Sequence, residues 1–353
     1  MCSTQFRLLI LVLQSSLLCF SAAEVYAEIY ELNNHEDSVV GEIQKTLAGA
    51  DDTLLDIART NGFGYHEIKR VNPTLDVWLP ETTQEIILPS KYVLPMTKRD
   101  GIVLNIPEMR LYYFPKRTAG EAINVVTYPL GIGRQGWETP YIDTRIIEKK
   151  KHPHWYPPES IREEHEAMGD PLPKRVEAGP DNPLGDYAMR LGMPDYLIHG
   201  TNKPFGIGMR VSHGCIRLYP EDIEELFAQV KLKTPVHIVN QPYKVGLLNN
   251  KIYLEAHQFL EEDREEYKDN LTSVVKMIVK LTTEKKYQIE WDLAKKVIKE
   301  MKGIPIVIGR VKTSPLQADS IENDLSKPEV ATGIELKLEP GLSAERSELE
   351  SLF

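Results

Sequence analysis

Short, largely apolar runs punctuated by Gly and Pro occupy the middle of the chain. Runs rich in β-branched and aromatic residues predict five strands there, at 102–106, 110–114, 124–128, 144–148 and 236–239. The stretch 151–191 is rich in proline and charge, so it predicts a long loop without regular structure, and loops of this length are usually functional. The pattern favours a β-rich domain over residues 98–240.

Apolar positions with a helical period flank this domain on both sides. Residues 38–90 predict a strand at 41–46, helices at 52–61 and 64–71, and a strand at 85–88, with Asp51 or Asp52 as the first cap. Residues 241–313 predict strands at 252–254 and 304–308 and two amphipathic helices, the second with Tyr287, Trp291 and Ala294 on one face. We expect these helices to pack on the β-rich domain or on each other. The predicted fold class is α+β: a β-rich domain after a small βααβ module and before a helical C-terminal region.

The N-terminus predicts export. Arg7 is followed by an apolar run over 8–20 and by the small residues Ser21-Ala22-Ala23, which is typical of a signal peptide cleaved after residue 23 or 27. A membrane anchor is less favoured because a span needs about 20 continuous apolar residues. We therefore expect a periplasmic protein with no stable membrane span after cleavage.

The distribution of charged residues bears on which molecules the protein binds. The formal net charge is −10, and much of it lies in the acidic segment 314–353, which we expect to be disordered. No cluster of Lys and Arg with interleaved aromatic residues is present, so nucleic acid is not an expected partner.

The cysteines point to the chemistry. Cys2 and Cys19 leave with the signal peptide, so the mature chain keeps Cys215 alone and forms no internal disulfide. A thiol with a pKa of about 8.5 is mostly protonated at neutral pH and needs a base or cation beside it to react. Cys215 lies in 211–218, which also holds His213 and Arg217, and the segment 196–201 supplies His199.

These two segments resemble the catalytic motif of L,D-transpeptidases of the YkuD type. In that family a histidine followed by glycine or serine precedes a Ser-His-Gly-Cys-Ile/Val-Arg segment, and His199 and Cys215 are sixteen positions apart, as the family requires. The segments 131–136, 139–140, 153–158 and 179–185 resemble the periplasmic branch, although Tyr141 departs from it. Residues 38–90 resemble a LysM domain, which binds the N-acetylglucosamine-containing glycan of peptidoglycan.

The resemblance implies a role for each motif residue. Cys215 would be the nucleophile and His199 the general base, with a backbone carbonyl near Gly200 orienting the imidazole. Catalytic support would come from the neighbours of this pair: Gly214, Gly200, His213 and Ser212. The amides of Gly214 and Cys215 could hold an oxyanion, Ser212 is expected to form a turn, and His213 either bonds near the thiolate or shapes the turn. Substrate binding is assigned to Arg217, Thr201 and Trp155, with a structural ion pair as the alternative for Arg217.

The implied reaction is an acyl transfer without a metal or cofactor. Cys215 attacks the diaminopimelate carbonyl of a tetrapeptide stem, D-alanine leaves, and an amine takes the acyl group from the thioester. The product is a 3-3 cross-link, an exchanged D-amino acid or an attached envelope lipoprotein, whereas water as acceptor gives an L,D-carboxypeptidase. The sequence leaves the acceptor open. A carbapenem is expected to acylate Cys215.

Three other functions compete with this prediction. A zinc site could draw on the histidines and the cysteine of this region, but the pair His152 and His154 lacks a second ligand pair at a familiar spacing; the candidates are His152, His154, His165, His199, His213 and Cys215. A cell-wall cysteine endopeptidase would need a histidine after its cysteine, where only His237 and His257 are found. A non-catalytic peptidoglycan-binding protein is disfavoured because every polar group of the motif is present.

Overall fold

The computed structural model describes residues 28–312, apart from residues 33, 35, 119, 268–269 and 283–285. The expected signal peptide and the expected disordered tail lie outside the described residues. Within the described part the fold is mixed and sheet-rich with six α-helices, and none of these helices is long and apolar enough to cross a membrane.

The N-terminal region has the predicted strand–helix–helix–strand order. Its elements are β1 (Ile29–Leu32), β2 (Val39–Gly41), β3 (Gln44–Leu47), α1 (Leu54–Thr60), α2 (Tyr65–Val71), β4 (Glu85–Leu88) and β5 (Lys91–Val93). The strand predicted at 41–46 is two strands, β2 and β3. The cap predicted at Asp51 or Asp52 is wrong: Thr53 Oγ1 accepts a hydrogen bond from the Asp56 amide at 3.1 Å, and the Asp56 carboxylate accepts one from the Thr53 amide at 3.0 Å. This capping box fixes the start of α1.

The central region is built on a nine-stranded sheet. Its elements are β6 (Gly101–Asn105), β7 (Arg110–Phe114), β8 (Ile123–Pro129), β9 (Ile132–Gly133), β10 (Asp143–Lys151), α3 (Glu159–Ala167), β11 (Tyr187–Leu191), β12 (Leu197–His199), β13 (Arg210–Ser212), β14 (Ile216–Arg217), α4 (Pro220–Gln229) and β15 (Pro235–Val239). The order in the sheet is β1-β8-β7-β6-β15-β10-β11-β12-β14, and β13 pairs with β9 separately. The five predicted strands are confirmed as β6, β7, β8, β10 and β15.

The prediction of a structureless stretch over 151–191 is wrong, because it contains α3 and β11. Helix α3 buries one side chain, Ile161, so its sequence lacks the apolar period by which a packed helix is found.

Helix α4 covers one face of the strands that carry the motif. Met189, Ile198 and Ile216 pack with Leu226 of α4 in a buried apolar cluster. Since side chains alternate along a strand, the residues next to these lie on the opposite face.

The C-terminal region contains the two predicted amphipathic helices and the two predicted strands, which belong to a sheet of four strands. Its elements are β16 (Tyr243–Leu248), β17 (Lys251–Ala256), α5 (Asn270–Leu281), β18 (Tyr287–Ile289), α6 (Trp291–Glu300) and β19 (Ile306–Val311), in the sheet order β16-β17-β19-β18. The two helices pack on this sheet rather than on the central one. Tyr287 belongs to a strand and not to the second helix.

Both flanking regions are joined to the central one by buried contacts. Arg110 of β7 donates two hydrogen bonds to the Glu67 carboxylate of α2, at 2.7 and 2.9 Å. Lys244 of β16 is fully buried, 2.7 Å from Glu108 and 2.8 Å from Glu255. The N-terminal module therefore has a fixed position against the central domain.

Candidate active site

Cys215 directly precedes β14, and His199 is the last residue of the adjacent strand β12. Strands β12 and β14 are parallel, with Ile198 opposite Ile216 and His199 opposite Arg217. Continuing this register by one residue puts Cys215 opposite Leu197. Because side chains alternate and neighbouring strands are about 4.8 Å apart, Cys215, His199 and Arg217 share one face, with the first two as diagonal neighbours.

The His199 imidazole is buried and neutral. Its Nδ1 donates a hydrogen bond to the Gly200 carbonyl oxygen at 2.6 Å, which is the expected orienting contact. A carbonyl oxygen only accepts, so Nδ1 carries the hydrogen and Nε2 keeps a lone pair. Burial, together with the charge of Arg217, lowers the pKa of His199 to about 3. The ring is therefore an unprotonated base at neutral pH.

The Cys215 thiol is half-buried and protonated at rest. Its Sγ donates a hydrogen bond to the Asp195 carbonyl oxygen at 3.4 Å. Burial raises the pKa of the thiol, while the Leu197 backbone and the Arg217 charge act in the opposite direction. Among the described residues the thiol has no hydrogen bond to His199, so the resting pair is a neutral thiol beside a neutral imidazole.

The turn before β14 presents two backbone amides. Ser212 Oγ donates to the Cys215 carbonyl at 2.6 Å, and Thr139 Oγ1 donates to the Gly214 carbonyl at 2.9 Å. Gly214 has φ +97°, and a Cβ there would lie 3.2 Å from the Tyr196 ring, so the turn requires glycine. Within the described part of the chain, the amides of Gly214 and Cys215 donate no hydrogen bond.

Arg217 adds an uncompensated charge to this face. Its Nε is buried and has no hydrogen-bond partner in the described residues. Burial lowers the pKa of its guanidinium. A structural ion pair, the alternative expected from the sequence, is not found for Arg217 among the described residues. The site therefore holds a thiol, a base and a cation to which the described residues give no ion-pair partner.

The comparisons with known proteins agree with this geometry. The model of the YkuD L,D-transpeptidase catalytic domain matches residues 99–238. The chain is 39% identical over 263 residues to the probable L,D-transpeptidase ErfK/SrfK of Escherichia coli (strain K12), covering 73% of this chain and 83% of that protein. The chain belongs to the L,D-transpeptidase family. The probable L,D-transpeptidases YcfS and YbiS of the same organism are 37% and 40% identical and are covered to 87% and 77% of their lengths. The predicted family and enzyme class, an acyltransferase, are confirmed.

In this L,D-transpeptidase His213 does not bond to the thiol. Its Nε2 lies 3.0 Å from both Glu164 Oε2 and Arg134 Nη2, Arg134 also bonds to Glu164, and the Trp137 ring packs edge-on against the imidazole. His213 thus ties the turn before β14 to helix α3. Glu164 and Trp137 were missed in the sequence, because nothing local marks a carboxylate on an exposed helix as a partner of a motif residue.

Lys203 and Val176 supply backbone contacts to Thr201 and Trp155, respectively. Thr201 is buried, and its Oγ1 accepts a hydrogen bond from the Lys203 amide at 3.0 Å, which shapes the loop after β12. Trp155 is half-buried and forms a backbone bridge with Val176, with N···O distances of 3.0 and 2.8 Å. Their part in substrate binding stays a prediction.

Three of the histidines weighed as zinc ligands face separate carboxylates. His152 lies 3.2 Å from Asp186, His154 3.1 Å from Glu177, and His165 3.5 Å from Asp170. A different group, Glu108, Glu255 and His257, has ligand atoms within reach of one another. The Lys244 ammonium ion lies between its two carboxylates, so this group does not fit a metal.

Proposed function

We propose that this enzyme is a peptidoglycan L,D-transpeptidase in which Cys215 is the nucleophile and His199 the general base. One observation carries the proposal: a single face of β12 and β14 holds the thiol, a neutral imidazole whose Nδ1 is fixed by Gly200, and a guanidinium without an ion pair among the described residues. Neighbouring backbone amides without acceptors complete what an acyl transfer needs.

In the first half of the reaction the thiol attacks the stem peptide. Rotation about its side-chain bonds brings Sγ from Asp195 toward His199, a movement much faster than turnover. His199 Nε2 takes the thiol proton as sulfur attacks the carbonyl carbon of diaminopimelate, and the amides of Gly214 and Cys215 donate to the oxyanion. The C–N bond to D-alanine then breaks, and His199 returns the proton to the leaving amine. A thioester on Cys215 remains.

In the second half an amine replaces D-alanine. His199 removes a proton from the amine as its nitrogen attacks the thioester, and the proton returns to sulfur when the new amide is released. A second stem, a free D-amino acid or an envelope lipoprotein can supply the amine, and water in its place gives a tripeptide.

The two pKa shifts define how the thiol is activated. Burial holds the pKa of Cys215 above and that of His199 below the ordinary range, so the neutral pair is favoured over a thiolate–imidazolium pair. The proton therefore moves during the attack and not before it.

We also propose that residues 38–90 are a LysM module that binds the glycan. Trp78 and Leu79 are exposed in the loop between α2 and β4, and the Asp76 carboxylate fixes the loop by accepting hydrogen bonds from both of their amides, at 2.8 and 2.9 Å. An exposed aromatic ring is a suitable surface for a sugar. Trp78→Ser should weaken cosedimentation with purified peptidoglycan, whereas Trp291→Ser, at a similarly exposed tryptophan, should not.

Export to the periplasm belongs to the same proposal, because the substrate lies there. Cell fractionation should find the mature protein in the periplasm, and N-terminal sequencing should start at residue 24 or 28. A protein retained in the cytoplasm with residues 1–23 intact would contradict it.

Incubation with a disaccharide-tetrapeptide tests the enzymatic proposal. We expect D-alanine release, detected by mass spectrometry, and its loss in Cys215→Ala with glycan binding unchanged. A dimer among the products indicates cross-linking and a tripeptide indicates carboxypeptidase activity. Cleavage at another bond would favour an endopeptidase, and binding without any product would favour a non-catalytic protein. Carbapenem exposure should raise the intact mass of the wild type and leave that of Cys215→Ala unchanged.

A further inference from the structure

Arg190 of β11 lies on the same face as the candidate nucleophile. Strands β11 and β12 are antiparallel with Arg190 opposite Leu197, and the register of β12 with β14 puts Leu197 opposite Cys215. Arg190, Leu197 and Cys215 thus form one row across three strands. Two strand spacings put the backbones of Arg190 and Cys215 roughly 10 Å apart. An arginine side chain is long enough to extend from Arg190 toward a substrate held at Cys215.

On the side away from Leu197, Arg190 forms an ion pair with Glu148 of strand β10. Its Nε donates to Glu148 Oε2 at 3.1 Å, and 46% of the Arg190 side chain and 54% of the Glu148 side chain are exposed. Such an exposed pair adds little to stability. Among the described residues, no other ion pair holds either side chain. The charge of Arg190 also acts on the Cys215 thiol.

The two arginines on this face suit two different carboxylates. Arg217 is two residues from Cys215 and opposite His199, so it matches an anion directly beside the reacting carbonyl, such as the carboxylate of the leaving D-alanine. Arg190 is two strands away. It matches an anion at the far end of a lysine-length side chain, which is what diaminopimelate carries. That same side-chain end also bears an ammonium group, the charge that Glu148 would bind.

We propose that Arg190 and Glu148 bind the zwitterionic end of the diaminopimelate side chain, with Arg190 on its carboxylate and Glu148 on its ammonium group. This inference rests on the proposed function and names a specificity determinant within the same site. It makes the enzyme select stems that carry both charges at this position.

Three tetrapeptide stems test the assignment, differing at the third residue: diaminopimelate, its side-chain carboxamide, and lysine. One charge-assisted contact at an exposed site corresponds to about tenfold in kcat/KM, so the wild type should prefer diaminopimelate over each of the others by that factor. Arg190→Gln should lower kcat/KM for diaminopimelate alone, through KM, and so abolish the preference. Glu148→Gln should lower it for all three stems.

Arg264→Gln is the matched control. Arg264 is an exposed arginine between β17 and α5, and it pairs with Glu261 at 2.7 Å. This variant should behave as the wild type, and Arg190→Lys should restore part of the preference. An unchanged preference in Arg190→Gln, or an equal loss on all stems, overturns the inference while Cys215-dependent release still upholds the proposed function. If no stem releases D-alanine, the proposed function fails and the inference with it.

Discussion

Two arginines of the central domain, the buried Arg110 and the half-buried Arg217, have opposite surroundings. Arg110 is 1% exposed and donates to Glu67, to the Gly62 carbonyl at 3.0 Å and to Thr127, whereas Arg217 Nε has no partner in the described residues. Burial lowers the pKa of both guanidinium groups. In Arg110 the Glu67 carboxylate reverses the effect, so its pKa lies above the ordinary range, and in Arg217 the reduction remains.

This difference distinguishes an arginine that stabilises the fold from one that is available to bind a ligand. A buried charge with all its partners fixes one arrangement, here the position of the N-terminal module against the sheet. A buried charge without a partner costs free energy until an anion arrives, so it marks a site built for a ligand. The two arginines should therefore respond in opposite ways to mutation.

The largest expected effect is on stability at the first arginine. Glu67→Gln leaves Arg110 buried without its counter-charge, which should lower the free energy of unfolding by about 3–5 kcal/mol. Urea unfolding measures this. Glu85→Gln is the control, since its ion pair with Lys45 is exposed and should contribute less than about 1 kcal/mol. If Glu67→Gln matches the control, Arg110 does not hold the module as described.

Arg217→Gln should show the reverse pattern. Loss of a charge-assisted contact to the substrate should lower kcat/KM for D-alanine release by about a hundredfold. The unfolding free energy should be unchanged or raised, because an unpaired, half-buried charge is removed. Kinetics and urea unfolding of the same preparation measure both. A destabilised variant whose folded fraction keeps full activity would make Arg217 a second structural arginine.

We expect a smaller effect on the pH dependence with which iodoacetamide alkylates the Cys215 thiol. Because burial holds the pKa of Cys215 above the ordinary range, iodoacetamide should react more slowly than with free cysteine at neutral pH and speed up only at alkaline pH. Removing the Arg217 charge, which favours the thiolate, should move the profile to higher pH. A fast reaction at neutral pH would instead indicate a preformed thiolate.

The smallest expected effect concerns His213. Glu164→Gln weakens the link from α3 to the turn before β14 and should lower kcat/KM about fivefold, the equivalent of about 1 kcal/mol. Glu166→Gln, at an exposed position of the same helix, should have no effect. Equal activities of the two variants would show that the link does not position the turn.

The sequence predicts those features that depend on local patterns. The central strands follow from their runs of β-branched and aromatic residues. The cysteine–histidine pair follows from a motif whose two halves lie on adjacent strands. Tyr287 was placed on a helix because it continues the period of Trp291, Ala294 and Ile298, although it pairs in a strand with Val311. The local sequence around Tyr287 fits both a helix and a strand, and only the pairing with β19 decides for the strand.

Other features depend on register and long-range contacts, which one sequence does not display. The row of Arg190, Leu197 and Cys215 requires the pairing of three strands. The Asp195 carbonyl that holds the thiol belongs to a non-glycine residue at φ +65°, which no local signal marks. Arg110 and Glu67 are 43 positions apart, and their pairing joins regions that the sequence presents as separate modules.

The most direct test of the account is the intact mass of the protein, quenched with acid shortly after mixing with a disaccharide-tetrapeptide in the absence of an amine acceptor. The proposed mechanism predicts a mass increase equal to the substrate minus D-alanine, located on the peptide that contains Cys215 and absent from Cys215→Ala. D-alanine release by an enzyme that carries no adduct, or an adduct on any other residue, would contradict it.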